Sequence, residues 1–154
     1  MTLDELSALL AAATEDLKLE PSHWRFVFQG VPMVCLSDAG FDRMRFIAPI
    51  IEVAKLDEAT KDELLEANFH TALDARYASS GGLLFATFIH PIASLDATLA
   101  RSALDQVASL VRTFGTHYTS GALEFVAGSE LEVDEGDGDG GDDPDEGGGG
   151  LLLN

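Results

Sequence analysis

The sequence predicts an α+β protein built on an antiparallel sheet, with its elements in the order α-β-β-β-α-β-β-α. Three observations predict it. Apolar residues recur at helical spacing in three separate stretches. Between those stretches lie short runs of alternating or wholly apolar character. Each run is divided from the next by a turn signal of only a few residues, which makes neighbouring strands antiparallel. Groups of antiparallel strands interrupted by helices belong to α+β architectures, whereas a parallel sheet would alternate strand and helix throughout.

The first helix is expected over residues 2–17. Thr2-Leu3-Asp4-Glu5 has the form of a capping box, and Leu3, Leu6, Leu10, Ala13 and Leu17 make one apolar stripe. Pro21 ends the segment. His23 to Phe28 alternates, with Trp24, Phe26 and Phe28 on one face. Gln29-Gly30-Val31-Pro32 turns the chain into a second strand, Met33 to Leu36. Ser37-Asp38-Ala39-Gly40 leads to a third, Arg43 to Val53, with a break expected at Pro49.

A second helix is expected from Glu58 to Leu73, capped by Asp57 or Thr60. Arg76 to Ser79, the turn Ser80-Gly81-Gly82 and Leu83 to Ile89 then form a hairpin. The closing helix is expected from Leu95 to Tyr118, capped by Ser94 or Asp96. Leu123 to Val126 has the character of one more short strand. Leu83–Ile89 is apolar on both faces, yet a sheet covered on one side needs alternation. Its second face therefore calls for a helix, a second subunit or a bound segment.

Charge divides the chain in two. The 154 residues carry 27 acids and 9 bases, a formal net charge of −18. Ten of the acids lie between Glu130 and Glu146, where there is no base. Residues 1–129 are accordingly expected to fold, and residues 130–154 to form a disordered tail rich in Asp and Gly, with too little apolar surface to offset the entropy of ordering. Such a tail is an anionic brush that attracts basic partners. No run of Lys and Arg offers a basic stripe, which argues against nucleic-acid binding.

The N-terminus is acidic, unlike a signal peptide, and no run approaches the roughly 18 apolar residues of a membrane span. Cys35 is a lone cysteine in the apolar run Val34-Cys35-Leu36, so no internal disulfide is expected. These observations lead us to expect a cytoplasmic protein with no membrane partner.

Catalytic motifs are not found. The sequence has no nucleophile elbow, phosphate-binding loop or dinucleotide fingerprint. His23, His70, His90 and His117 show no metal-ligand spacing, so no metal and no cofactor are expected. Glu135-x-Asp137-x-Asp139-Gly140 with Glu146 superficially matches a calcium loop, but an Asp/Gly repeat generates that match by chance. Arg43 and Arg45, at strand spacing on one face, either grip a carboxylate or balance nearby acids. The chain is expected not to be an enzyme.

The stretch Leu64-Leu65-Glu66-Ala67-Asn68-Phe69 is followed by Arg76-Tyr77-Ala78, the glycine hairpin, Leu83–Ile89 and the long helix to Tyr118. This arrangement resembles the YbjN-like family and the class I type III secretion chaperones, in which a leucine-leucine-x-x-asparagine helix precedes an apolar hairpin and a closing helix. The resemblance spans roughly residues 3–120, and the glycine-acid tail departs from the pattern. It implies a non-catalytic, chaperone-like homodimer that holds an extended segment of a protein or peptide client. The alternative is a regulatory or structural YbjN-like domain without an extended client. The residues expected to form the partner-binding or dimer surface are Leu64, Leu65, Phe69, Leu83, Phe85 and Phe88.

Overall fold

The computed structural model describes residues 1–21 and 23–115. Helix α1 (Leu3–Ala13) is followed by strands β1 (Glu15–Leu19), β2 (His23–Phe28), β3 (Val31–Asp38) and β4 (Arg43–Glu52). A 3-10 turn (Val53–Lys55) leads into α2 (Glu58–His70). Strands β5 (Arg76–Ser80) and β6 (Leu83–His90) and helix α3 (Ala97–Thr113) complete the described chain. The α+β class is the one the sequence predicts, and the six strands form one antiparallel sheet in the order β1-β2-β3-β4-β6-β5.

One element differs from expectation. The helix expected over 2–17 stops at Ala13, and Glu15–Leu19 is an edge strand paired with β2. Thr14 terminates the helix by donating both its amide and its hydroxyl to the Leu10 carbonyl, at 3.0 and 2.6 Å. Asp16 then adopts a left-handed φ of 53°, within a bulge between Glu15 and Lys18. Leu17 fits the helical stripe by spacing alone, but it packs on the core from a strand. The closing helix, expected to reach Tyr118, ends at Thr113, where Phe114 leaves the helical conformation and Gly115 takes a positive φ; the expected strand at Leu123–Val126, the boundary at residue 129 and the calcium-loop match lie outside the described residues.

The helix starts follow the sequence closely. Thr2 Oγ1 accepts from the Glu5 amide at 3.2 Å, and Glu5 Oε2 accepts from the Thr2 amide at 2.7 Å, which completes the capping box. Asp57 caps α2 through the Thr60 amide, and Asp96 caps α3 through the Leu99 amide, each at 2.8 Å. The register of β4 against β6 shifts between Pro49 and Ile51, where the break was expected. Gly81 and Gly82 both take positive φ, as the tight β5–β6 turn requires.

The core lies between one face of the sheet and helices α1 and α3. Phe46 is fully buried at its centre, edge-on to Phe26 at 6.2 Å and stacked with Phe88 at 6.3 Å between ring centres. Met33, Cys35, Met44, Ala48 and Ala86 share this face with them. From above it is closed by Leu6, Leu10, Leu104, Val107 and Leu110. Burial pushes the Cys35 thiol up to about 12. Gln106 is also buried; its Oε1 accepts from the amides of Asp74 and Ala75 at 2.8 and 3.0 Å and so ties the α2–β5 connection to α3.

Candidate functional site

Strand alternation sends every second side chain to the opposite side of the sheet, which no described element covers. The registers order these side chains into rows. One row takes a residue from each strand in turn: Lys18, Arg25, Val34, Ile47, Thr87 and Arg76. The next reads His23, Leu36, Arg45 and Ile89. Pro49 and Ala78 flank Phe85 in a third. This open face thus has an apolar middle between flanks where bases and acids are mixed, with Arg45 standing inside it.

The apolar part is partly accessible. Ile89 is 52 % exposed, Leu83 lies at the rim and Phe85 is half-buried. Two depressions indent the face. One, of about 350 Å³, is lined by Leu36, Phe41, Arg43 and Arg45 together with Ser37 and Asp38. The other, of about 520 Å³, includes Asp16, Lys18, Glu20, Arg25, Val34 and Pro49, so its two bases stand beside two acids. Phe41, in the β3–β4 turn, is exposed beside the first.

A second apolar surface lies on α2. Leu65 and Phe69, one helical turn apart, are 68 % and 83 % exposed. The opposite side of α2 sends Leu64 and Ala67 into the core. Between them Asn68 reaches the outer strand: it accepts from the Tyr77 amide at 2.8 Å and donates to the Tyr77 carbonyl at 3.0 Å.

The six residues expected to form a binding or dimer surface therefore divide. Leu65, Phe69, Leu83 and Phe85 are at least partly accessible. Leu64 and Phe88 are only 4 % and 2 % exposed and belong to the core, because each points toward the helix–sheet interface. The double-faced character of Leu83–Ile89 has a simple division: Leu84, Ala86 and Phe88 face the helices, while Leu83, Phe85 and Ile89 lie on the open face.

Sequence reasoning recovered Arg43 and Arg45 as one pair but missed the wider pattern. Lys18, Arg25, Arg43, Arg45 and Arg76, five of the chain's nine bases, share the open face. These residues are scattered over four strands, and only the strand registers bring them together. Among the described residues no cluster of His, Cys, Asp and Glu has a metal-binding arrangement, and no helix is long and apolar enough to cross a membrane.

No protein-family model and no curated protein matches the chain in sequence. Solved structures do match in fold. One is a chain of the ExsC-ExsE complex, with a TM-score of 0.56 and 18 % identity over 74 % of this chain and 97 % of that one. Another is a chain of the HopA1-SchA chaperone-effector complex, with a TM-score of 0.52 and 10 % identity over 73 % and 98 % of the two chains. The fold of this chain is that of α+β secretion-chaperone structures.

Proposed function

We propose that the protein is a non-catalytic, chaperone-like binding module that holds an extended segment of a partner protein on the open face of its sheet. The observation that carries this reading is the partly apolar sheet face that no described element covers, opposite a complete core. An extended segment laid across it buries Phe85, Ile89 and Leu83 and gains about 25 cal/mol for each Å² of apolar surface removed from water. No nucleotide or cofactor enters such a mechanism. The likeness to chains solved within protein complexes, one of them a chaperone-effector complex, supports the same reading.

The protein acts as a homodimer in this proposal, joined through the exposed α2 pair Leu65 and Phe69. The separation of the two surfaces leaves the sheet faces of both protomers free for partners.

Co-purification from the native host with the wild-type chain and with Phe85→Asp/Ile89→Asp tests the client surface. A stoichiometric partner carried by the wild type and lost by the variant, with the circular dichroism of the two alike, is the expected result. A partner retained equally by both sinks the assignment to this face.

A further inference from the structure

The exposed side of α2 is acidic in its first half and apolar in its second. Glu58, Asp62, Leu65 and Phe69 follow one another at steps of four, three and four residues, so they stand in one stripe along the helix. All four are exposed, and Glu66, also exposed, flanks the apolar pair. The bases nearby do not balance these acids. Lys61 is bonded to Glu58 at 2.7 Å, and Lys55 pairs with Glu52 at 3.5 Å. Arg76 turns its guanidinium to the carbonyls of Leu73 and Ala75. His70 stands edge-on to Phe69 at 4.8 Å and adds a charge only when protonated. From Glu52 to Arg76, seven acids stand against three bases.

The apolar pair is too small to make a seam alone. Leu65 and Phe69, 68 % and 83 % exposed, offer roughly 300 Å² per protomer. A standard interface takes about 800 Å² from each partner. A second copy docked on α2 must therefore also cover the acids around the pair. A two-fold seam is isologous, so each copy meets the same patch on the other. Across the axis, the flank that carries Glu66 comes against the same flank of its partner, with Asp62 one turn away. Glu58, Asp62, Glu63 and Glu66, set against Lys61, leave α2 with a net negative charge in both copies. Such charges repel across a wet seam until salt screens them, and the Debye length falls from about 30 Å at 0.01 M to about 3 Å at 1 M.

We infer, on the reading that α2 joins two copies, that the seam is charge-gated: Asp62 and Glu66 hold it open at low ionic strength, and screening or removal of their charge closes it. Salt then tightens the dimer, the reverse of its effect on a seam made from opposite charges. A copy with bases at these two positions fits the same surface without the repulsion.

The test pairs the chain with such a copy, Asp62→Lys/Glu66→Lys. Both positions are exposed, and circular dichroism checks that the fold is kept. Sedimentation velocity, with a dye on the wild-type chain, distinguishes homodimers from mixed dimers. The wild-type dimer is expected to tighten at least about tenfold between about 0.01 and 0.5 M salt. At the low salt concentration the mixed dimer should be at least about tenfold tighter than the wild-type homodimer, and it should weaken as salt is added. Because the whole chain is acidic, a control makes the same change of net charge on α1 and β1, Asp4→Lys/Glu15→Lys. Mixed with the wild type, the control should gain far less. A wild-type dimer indifferent to salt, or an equal gain with the control copy, overturns the gate and leaves the dimer standing. A chain that stays monomeric at every salt concentration and in both mixtures removes the dimer, and the gate with it.

Discussion

Asn68 makes with its side chain the pair of hydrogen bonds that a neighbouring strand would make with its backbone: its carboxamide accepts from the Tyr77 amide at 2.8 Å and donates to the Tyr77 carbonyl at 3.0 Å. β5 is an edge strand, and edges invite uncontrolled pairing. Asn68 occupies the β5 edge at Tyr77 and ties α2 to the sheet. This gives the asparagine of the leucine-leucine-x-x-asparagine stretch a physical role. Asn68→Ala is expected to cost about 1–3 kcal/mol, because two partly buried backbone groups lose their partner. Urea unfolding measures it. Asn68→Asp, which keeps the acceptor and loses the donor, should fall between the two.

Phe46 sits in the middle of the aromatic series from Phe26 to Phe88 and is fully buried. Phe46→Ala should destabilise by about 3–5 kcal/mol through lost burial and a residual cavity. Ile89→Ser, on the open face of the neighbouring strand, should change stability by less than about 1 kcal/mol. Equal losses at the two positions would show that the open face is covered in solution.

Leu65→Asp/Phe69→Asp is expected to leave the melting transition of the fold in place and to abolish self-association in sedimentation velocity. A wild-type chain that sediments only as a monomer at micromolar concentration removes the dimer from the proposal. A variant that still dimerises moves the seam away from α2.

Two caps predict the acid limb of stability. Hydrogen bonds from the Thr2 backbone and hydroxyl hold the Glu5 carboxyl below 4.5, and those from Thr60 hold Asp57 below 3.8. A carboxylate with a lowered folded pKa contributes stability above its ordinary pKa and loses it as the pH falls through the lowered one. Unfolding midpoints measured from neutral to strongly acidic pH should therefore fall less steeply for Glu5→Gln/Asp57→Asn. Both substitutions keep a side-chain carbonyl able to cap.

Cys35 gives the opposite sign at high pH. Its folded thiol is pushed up from 9.0 to about 12 by burial, so the stability it contributes is complete below 9 and lost as the pH rises toward 12. The native protein should resist a thiol-specific reagent at mildly alkaline pH and react at once in denaturant. Fast labelling of the native state would contradict the burial of Cys35.

The sequence by itself determined the α+β class, the three helix starts, the hairpin at Gly81–Gly82 and the break at Pro49. These are local matters: caps, turns and bulges depend on a few adjacent residues whose chemistry is written in order. It failed at Leu17, because a leucine at helical spacing is equally a leucine on the inward face of a strand, and only the pairing of β1 with β2 distinguishes them. The tertiary structure alone decided which apolar residues are core and which are surface. Leu64 and Leu65 are neighbours in sequence, yet one is buried and the other exposed, since the orientation of α2 is fixed by Asn68 and Ala67 against the sheet and core. It also decided the basic row. Lys18, Arg25 and Arg76 come from distant segments, and register, a property of paired strands and not of any single one, brings them to one face.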